Sequence, residues 1–349
     1  MRNYGVNYDT GLVIDGRSTR STFSSDVARR ELEIIATDLH ATAVRVSGDD
    51  PERLSVAGAH AARAGLELWF SPFPYDLEPG ELVEHLTGCA RRAEQLRRRG
   101  CAVVLVLGCE MSLFCSGFVP GTGLAGRLAT MTDPLTWSTP EGLEALSEGG
   151  RRAREVQREI AAAARSVFAG PITYAAGAWE DVEWELFDIV SVDAYRDGQN
   201  AAGYRDDLHA YHRFGKPVAV TEFGCCTYCG AADRGGTGWM ILDRQRDPVT
   251  STGDYQRDEQ EQVRYLKELL AVFEAEKIDS AFWFSFAGFE LPHRPDDPGR
   301  DLDLASYGLV AMLGQGHGTT YPDLAWEPKL AFHAVAEAYA RSPSRPAQR

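Results

Sequence analysis

Two glutamates each follow closely on an apolar segment whose length is typical of a buried strand. Glu110 comes after the segment 102–107 and the pair Gly-Cys, and Glu222 comes directly after the segment 218–221. Two carboxyl groups in one site can divide two roles. A carboxyl group in apolar surroundings keeps its proton, whereas one beside an arginine stays ionised. This is the chemistry of glycosidic bond cleavage, in which retaining enzymes hold the two carboxyl groups about 5–5.5 Å apart.

The elements that must position these glutamates follow a repeated pattern of strand and helix. Helical periodicity is clearest over residues 26–36 and 258–273. Continuous apolar strands that alternate with helices indicate a parallel sheet covered by helices, and eight such units favour a closed (β/α)8 TIM barrel. We expect one catalytic domain over residues 1–340 and a short polar tail over 341–349. The eight predicted strands are residues 4–8, 43–46, 66–70, 102–107, 172–175, 189–192, 218–221 and 280–284.

The chemistry of such a barrel lies where its parallel strands end. Those ends supply polar and aromatic side chains that suit a sugar-like ligand, since aromatic faces pack on the C–H faces of a ring while charged groups bond its hydroxyls. Strands four and seven lie across the barrel mouth from each other, so Glu110 and Glu222 can converge on one substrate. The other candidate site residues are Asn7, Asp9, Arg45, Cys109, Trp179, Tyr195 and Trp283.

The ordered set of these strand ends resembles clan A of the retaining glycoside hydrolases. The resemblance rests on "VLGCE", "VAVTEFG", Arg45, Tyr195 and Trp283, together with the C-terminal "YPDLAWEPKLAFHAVAEAYA", and it covers essentially the whole chain in order. It implies that Glu110 is the acid/base and Glu222 the nucleophile. It also implies that Arg45 and Tyr195 position Glu222 and that Trp283 forms the floor of the sugar subsite.

Cys109 departs from the pattern of that clan, which usually has asparagine directly before the acid/base. The asparagine amide contacts the sugar 2-hydroxyl, and a thiol is a poor substitute for an amide donor. Contacts to the 2-hydroxyl strengthen in the transition state. Two alternatives to a glycosidase therefore stay open. One is an enzyme that uses the same two glutamates on a small non-polysaccharide substrate, and the other is an inactive barrel that binds carbohydrate or a partner.

The segment "CCTYC" raises the question of a metal or redox site. Cys226 and Cys229 have Cys-x-x-Cys spacing and Cys225 adds a third thiol, but a structural zinc site needs four ligands and the chain has no second such pair. We therefore expect no metal and no cofactor, with these three cysteines as weak candidates. The long loop 230–258 that follows is predicted to form a lid that carries Trp239 toward the substrate.

Composition narrows the partners and the compartment. The net charge of −15 argues against a nucleic-acid-binding surface, and no apolar run is long enough to span a bilayer. No secretory signal is visible, and seven cysteines, an odd number, suit a reducing cytoplasm better than a disulfide framework. The expected partner is a small-molecule or oligosaccharide substrate, with neither nucleic acid nor membrane. The oligomeric state is open.

Overall fold

The computed structural model describes residues 1–244 and 246–341, and the predicted polar tail lies outside these residues except for Arg341. Eight parallel strands form a closed barrel in which each strand pairs with its neighbours in the chain and the last strand pairs with the first. The TIM-barrel prediction is confirmed. The strands are β1 Asn3–Asp9, β2 Ala43–Gly48, β3 Glu67–Pro72, β4 Val103–Cys109, β5 Ile172–Gly177, β6 Val190–Asp193, β7 Val218–Phe223 and β8 Ser280–Trp283.

Helices surround the barrel, and both helical segments predicted from periodicity are present. The first begins after Ser24, whose side chain accepts a hydrogen bond from the Val27 amide, and the second begins after Asp258, which accepts from the Gln260 amide. The helices are α1 Ser25–Thr37, α2 Pro51–Arg63, α3 Pro79–Arg98, α4 Met111–Phe114, α5 Gly123–Thr132, α6 Pro134–Ser138, α7 Pro140–Arg165, α8 Tyr204–Ala210, α9 Glu259–Ala275 and α10 Leu330–Ala340.

Two additions to the barrel lie at the ends of its strands. The connection from β4 to β5 contains four helices, α4 to α7, and three short strands after β8 form a separate sheet. These three strands are Ala287–His293, Val310–Leu313 and Trp326–Pro328. Two small hairpins pair Val13–Ile14 with Arg17–Ser18 and Leu242–Asp243 with Thr250–Ser251. No helix in the described part of the chain is both long and apolar enough to cross a membrane.

The strand register brings the candidate residues together at the barrel mouth. Asn7 on β1 is opposite Arg45 on β2, and Asp193 on β6 is opposite Glu222 on β7. Side chains along a strand alternate between its two faces, so residues that share a register layer and a face meet inside the barrel. A second apolar cluster, which includes Trp69 and Phe282 with ring centres 4.7 Å apart, fills part of the interior.

Candidate active site

An ion pair between Arg45 and Glu222 forms the centre of the site. The Arg45 side chain is fully buried, and its Nη1 donates to Glu222 Oε1 at 2.6 Å. Nε donates to Ser71 Oγ at 3.0 Å and Nη1 to Asn7 Oδ1 at 3.2 Å, so the guanidinium is held from two further strands. Burial alone would lower the Arg45 pKa, but the neighbouring acidic groups of Cys109 and Glu222 raise it overall. Arg45 is therefore a fixed cation beside Glu222.

Both oxygens of Glu222 accept hydrogen bonds. The Tyr195 hydroxyl donates to Oε2 at 2.8 Å, on the opposite side from the Arg45 bond to Oε1. Asn7 contributes indirectly, because its Nδ2 donates to the Thr221 carbonyl at 2.9 Å and fixes the backbone just before Glu222. Hydrogen bonds and an adjacent cation both favour the ionised form of a carboxyl group. Glu222 is thus held in one orientation by a cation on one oxygen and a hydroxyl donor on the other.

Glu110 has the opposite environment. It follows β4 with a backbone φ of +42°, in the left-handed region, and is partly buried. Among the described residues, no group donates a hydrogen bond to its carboxyl group or forms an ion pair with it. Burial raises the Glu110 pKa well above its ordinary value, and the neighbouring carboxyl groups of Asp193 and Glu222 act in the same direction. Glu110 therefore keeps its proton to a higher pH than an ordinary glutamate.

Cys109 lies between two carboxyl groups and is itself buried. Its Sγ is 3.3 Å from Asp193 Oδ2 and 3.7 Å from Glu222 Oε1, so the thiol can donate to either acid. Burial raises the Cys109 pKa well above its ordinary value, with the neighbouring carboxyl group of Asp193 acting in the same direction. The thiol is consequently neutral. The candidate set had not included Asp193, which ends β6 with a fully buried side chain.

The predicted sugar floor at Trp283 is wrong. The Trp283 side chain is fully buried, its Nε1 donates to the Tyr307 carbonyl at 3.0 Å, and its ring packs edge-on against Phe223. The next residue, Phe284, is only partly buried and has its ring centre 6.4 Å from that of Tyr195. Because Tyr195 bonds the nucleophile candidate, Phe284 is the aromatic residue of this strand end that lies beside the site.

Asp9 and Trp179 lie apart from the ion pair. The Asp9 carboxylate accepts from the Gly11 amide at 2.7 Å, which folds the loop after β1 back on itself. Trp179 is 39% exposed, and its Nε1 donates to Ser112 Oγ at 3.1 Å in the helix that follows Glu110. The Trp179 ring is therefore an accessible aromatic surface on the Glu110 side of the mouth, whereas Asp9 has a structural contact.

The three neighbouring cysteines differ in their exposure. Cys225 and Cys226 are buried and Cys229 is exposed, and Cys226 Sγ donates to the Ala305 carbonyl at 3.2 Å. In residues 1–244 and 246–341, one group of potential ligand atoms gathers within 4.8 Å, formed by Cys109, Asp193 and Glu222. A metal ion there would stand against the Arg45 guanidinium, which already supplies the positive charge beside Glu222.

The segment after β7 packs against the site. Residues Ala231–Ile241 form a 3₁₀ segment, and a Cβ added at Gly236 would lie 3.2 Å from the Tyr195 ring. Trp239 is partly buried, and the Arg244 guanidinium lies 5.4 Å from its ring centre. Gln245, within the predicted lid, lies outside the described residues. The segment forms a wall beside Tyr195, and a lid that moves Trp239 stays a prediction.

Comparisons with known proteins give the fold a precedent. No protein-family model matches the chain, and no curated protein is similar in sequence. Among solved structures, a family 113 β-1,4-mannanase from the glycoside hydrolases has a TM-score of 0.62 and 14% identity, covering 98% of this chain and 99% of the other. A family 113 β-mannanase from Alicyclobacillus acidocaldarius has a TM-score of 0.58 and 16% identity, covering 96% of each chain. A β-glucosidase has a TM-score of 0.53 and 14% identity, covering 98% and 99%. The chain therefore shares the TIM-barrel fold of these glycosidases over its whole described length.

Proposed function

We propose that this protein is a retaining β-glycosidase with Glu222 as nucleophile and Glu110 as acid/base. One observation carries the proposal: two carboxyl groups at one barrel mouth have opposite environments. Glu222 accepts from Arg45 and Tyr195, whereas the carboxyl group of Glu110 has no partner among the described residues and a raised pKa. This division of one ionised and one protonated acid is what a double displacement at an acetal carbon needs.

In the first step, a Glu222 oxygen bonds to the anomeric carbon as the bond to the leaving oxygen breaks. The Glu110 proton moves to that leaving oxygen, which departs as a neutral alcohol. The result is a glycosyl ester on Glu222 and an ionised Glu110. Arg45 and Tyr195 hold Glu222 in the orientation for attack, so little of its rotational freedom is lost in reaching the transition state.

In the second step, Glu110 accepts a proton from water while the water oxygen bonds to the anomeric carbon. The ester bond breaks and Glu222 returns as a carboxylate, which Arg45 and Tyr195 stabilise again. Two inversions at one carbon retain its configuration. Trp179 and Phe284 offer aromatic faces on the two sides of the mouth, and we assign them to the sugar ring or the leaving group.

The substrate class follows from the same residues and from the fold. The solved structures with this fold include mannanases and a β-glucosidase, which act on carbohydrate, and their likeness supports a glycoside or oligosaccharide as the substrate.

The seven unpaired cysteines are compatible with our prediction of a reducing cytoplasm.

Rescue by an external nucleophile tests both assignments at once. With an aryl β-glycoside that the wild type turns over, Glu222→Ala and Glu110→Ala should each lose at least about a thousandfold in kcat. This corresponds to an increase of about 4 kcal/mol in the activation free energy. Azide should restore turnover in both variants. Glu222→Ala should give a glycosyl azide of inverted configuration, and Glu110→Ala one of retained configuration. The opposite pairing would exchange the two roles, and full activity in either variant would remove that residue from the mechanism.

One observation favours a second candidate function. The thiol of Cys109 stands where an amide donor would meet a sugar hydroxyl, and it is turned toward Asp193 and Glu222. The second candidate is acid/base chemistry by Glu110 and Glu222 on a small substrate that is not a glycoside. Turnover of such a metabolite without turnover of any aryl glycoside would support it. Binding of oligosaccharide with no turnover of any kind would instead indicate an inactive carbohydrate-binding barrel.

A further inference from the structure

In the part of the chain that the structure describes, the acidic groups of the site outnumber the cations beside them. Arg45 supplies the one guanidinium found there against the cluster, and it bonds Glu222 at 2.6 Å. Asp193 also faces it, with Oδ1 4.0 Å from the same Nη1, and Glu110 lies near enough for its charge to act on both acids. If all three carboxyl groups ionised, two negative charges would be buried without compensation, which proteins avoid by retaining protons.

The geometry decides which carboxyl group next to Arg45 is the anion. Glu222 has a donor on each oxygen, whereas Asp193 has only the Cys109 thiol, at 3.3 Å from Oδ2. Asp193 Oδ1 is a buried atom with no hydrogen-bond partner among the described residues. An ionised carboxylate with one bare, buried oxygen and one weak thiol donor is costly, while a protonated one is not. The proton therefore belongs on Asp193.

We propose that Asp193 is a positioning residue that stays protonated beside the Arg45–Glu222 ion pair, so that the whole charge of Arg45 acts on Glu222. The proposal rests on the function proposed above and deepens it. A neutral Asp193 still accepts the Cys109 S–H, whose sulfur is closer to Asp193 Oδ2 than to Glu222 Oε1. Ionised Asp193 would share Arg45 and loosen the orientation of the nucleophile.

Burial and the charge of Glu222 both favour a protonated Asp193. They raise the Asp193 pKa well above its ordinary value, although Arg45 and the side chains of Thr221 and Cys109 act in the opposite direction. The charged and titratable groups around it come from four strand ends: Arg45 of β2, Cys109 and Glu110 of β4, Tyr195 beyond β6 itself, and Glu222 of β7. Of these, Arg45 and the Cys109 thiol favour ionisation, but the thiol is a weak donor and the Arg45 guanidinium is much closer to Glu222 than to Asp193.

Replacement by a neutral isostere tests the proposal. Asp193→Asn keeps the size and a carbonyl acceptor for the thiol, so we expect it to keep kcat within about tenfold of wild type. Asp193→Ala removes the acceptor and should lower kcat by about a hundredfold or more, with a smaller change in KM. Ser191→Ala, on the same strand, controls for strand packing, since the Ser191 hydroxyl forms a hydrogen bond with that of Thr173 at 2.7 Å. Equal losses in the Asn and Ala variants would overturn the proposal, because they would show that a negative charge is required.

Infrared spectroscopy reads the proton directly and does not depend on turnover. The wild-type minus Asp193→Asn spectrum at neutral pH should show the loss of a protonated carboxyl C=O band. Loss of a carboxylate band instead would overturn the proposal. If Asp193→Asn does not fold, the spectrum of Glu110→Gln replaces it. This spectrum should still contain a protonated carboxyl band, and the absence of that band would refute the protonated state of Asp193. A protein that turns over no glycoside would refute the proposed function while this spectrum still decides the state of Asp193.

Discussion

Tyr195→Phe is the sharpest test of how the site holds Glu222 for attack. The substitution removes one hydroxyl that donates to Glu222 Oε2 at 2.8 Å and keeps the ring, which packs edge-on against Tyr307 with the ring centres 5.8 Å apart. A hydrogen bond to a charged group contributes about 1.5–3 kcal/mol. At about 1.4 kcal/mol per factor of ten, the loss of this bond corresponds to roughly 10- to 150-fold in rate.

The hydroxyl acts on the carboxylate that attacks in the first step, so its loss should lower kcat/KM for an aryl glycoside by roughly 10- to 150-fold. Part of the activity should remain, because Arg45 still bonds Glu222 Oε1 at 2.6 Å. Steady-state kinetics with the aryl glycoside measure this loss.

A matched control separates this effect from the loss of any tyrosine hydroxyl. Tyr174 is buried, and its hydroxyl donates to Glu180 at 2.8 Å, away from Glu222. Tyr174→Phe should therefore leave kcat/KM within a few-fold of the wild-type value. If Tyr195→Phe also left kcat/KM unchanged, the carboxylate that Tyr195 bonds would not be the attacking group, and the assignment of Glu222 would be refuted.

Three further predictions concern stability, the aromatic residues and metals. Burial raises the Glu110 pKa in the folded protein, so the free energy of unfolding falls by up to about 1.4 kcal/mol per pH unit as pH rises above the ordinary glutamate range. Glu110→Gln should therefore have a higher Tm than the wild type at pH 8 and no advantage at pH 4. Equal Tm values for the two proteins at pH 8 would contradict the raised pKa. Trp283→Ala should lower the free energy of unfolding by about 3–5 kcal/mol in a denaturant titration, as expected for a fully buried ring. Phe284→Ala should mainly raise KM. A raised KM for Trp283→Ala together with a loss of stability for Phe284→Ala would restore Trp283 as the sugar floor. Prolonged dialysis against a chelator should leave turnover unchanged, because Arg45 supplies the charge beside Glu222, and a loss that added metal reverses would contradict this account.

The barrel could be predicted from the sequence because each of its strands is a short apolar run. A strand buried on both faces reads as continuous apolar residues, and this pattern located all eight strands to within a few residues. The two glutamates were found for a related reason, since a carboxyl group close after such a run is at a strand end, where barrel chemistry lies. The four helices between β4 and β5 left no comparable signal, and we did not predict them.

Trp283 shows where reasoning from strand ends fails. Successive side chains of a strand point to opposite faces, so an error of one residue exchanges a core position with one at the mouth. Trp283 lies in the core and Phe284, one residue later, lies beside Tyr195. The tryptophan was the larger aromatic residue, but its identity carries no information about the face it occupies.

Asp193 was missed as a site residue for a different reason. Its position at the end of β6 was visible in the sequence, but its importance comes from Cys109, Arg45 and Glu222, which belong to three other strands. The spacing of residues along the chain does not predict that these four side chains come together, because their proximity depends on the register of the closed barrel. A systematic signal was available, since a carboxyl group at a strand end next to an apolar run had already identified Glu110 and Glu222.

Covalent trapping tests the central claim most directly. A 2-deoxy-2-fluoro β-glycoside with a good leaving group forms the glycosyl ester faster than water can remove it, so the nucleophile stays labelled. Mass spectrometry of the peptide that contains "VAVTEFG" should find one sugar attached to Glu222, and Glu222→Gln should not be labelled. A label on Glu110 or Asp193, or turnover with inverted configuration and no label, would contradict the account.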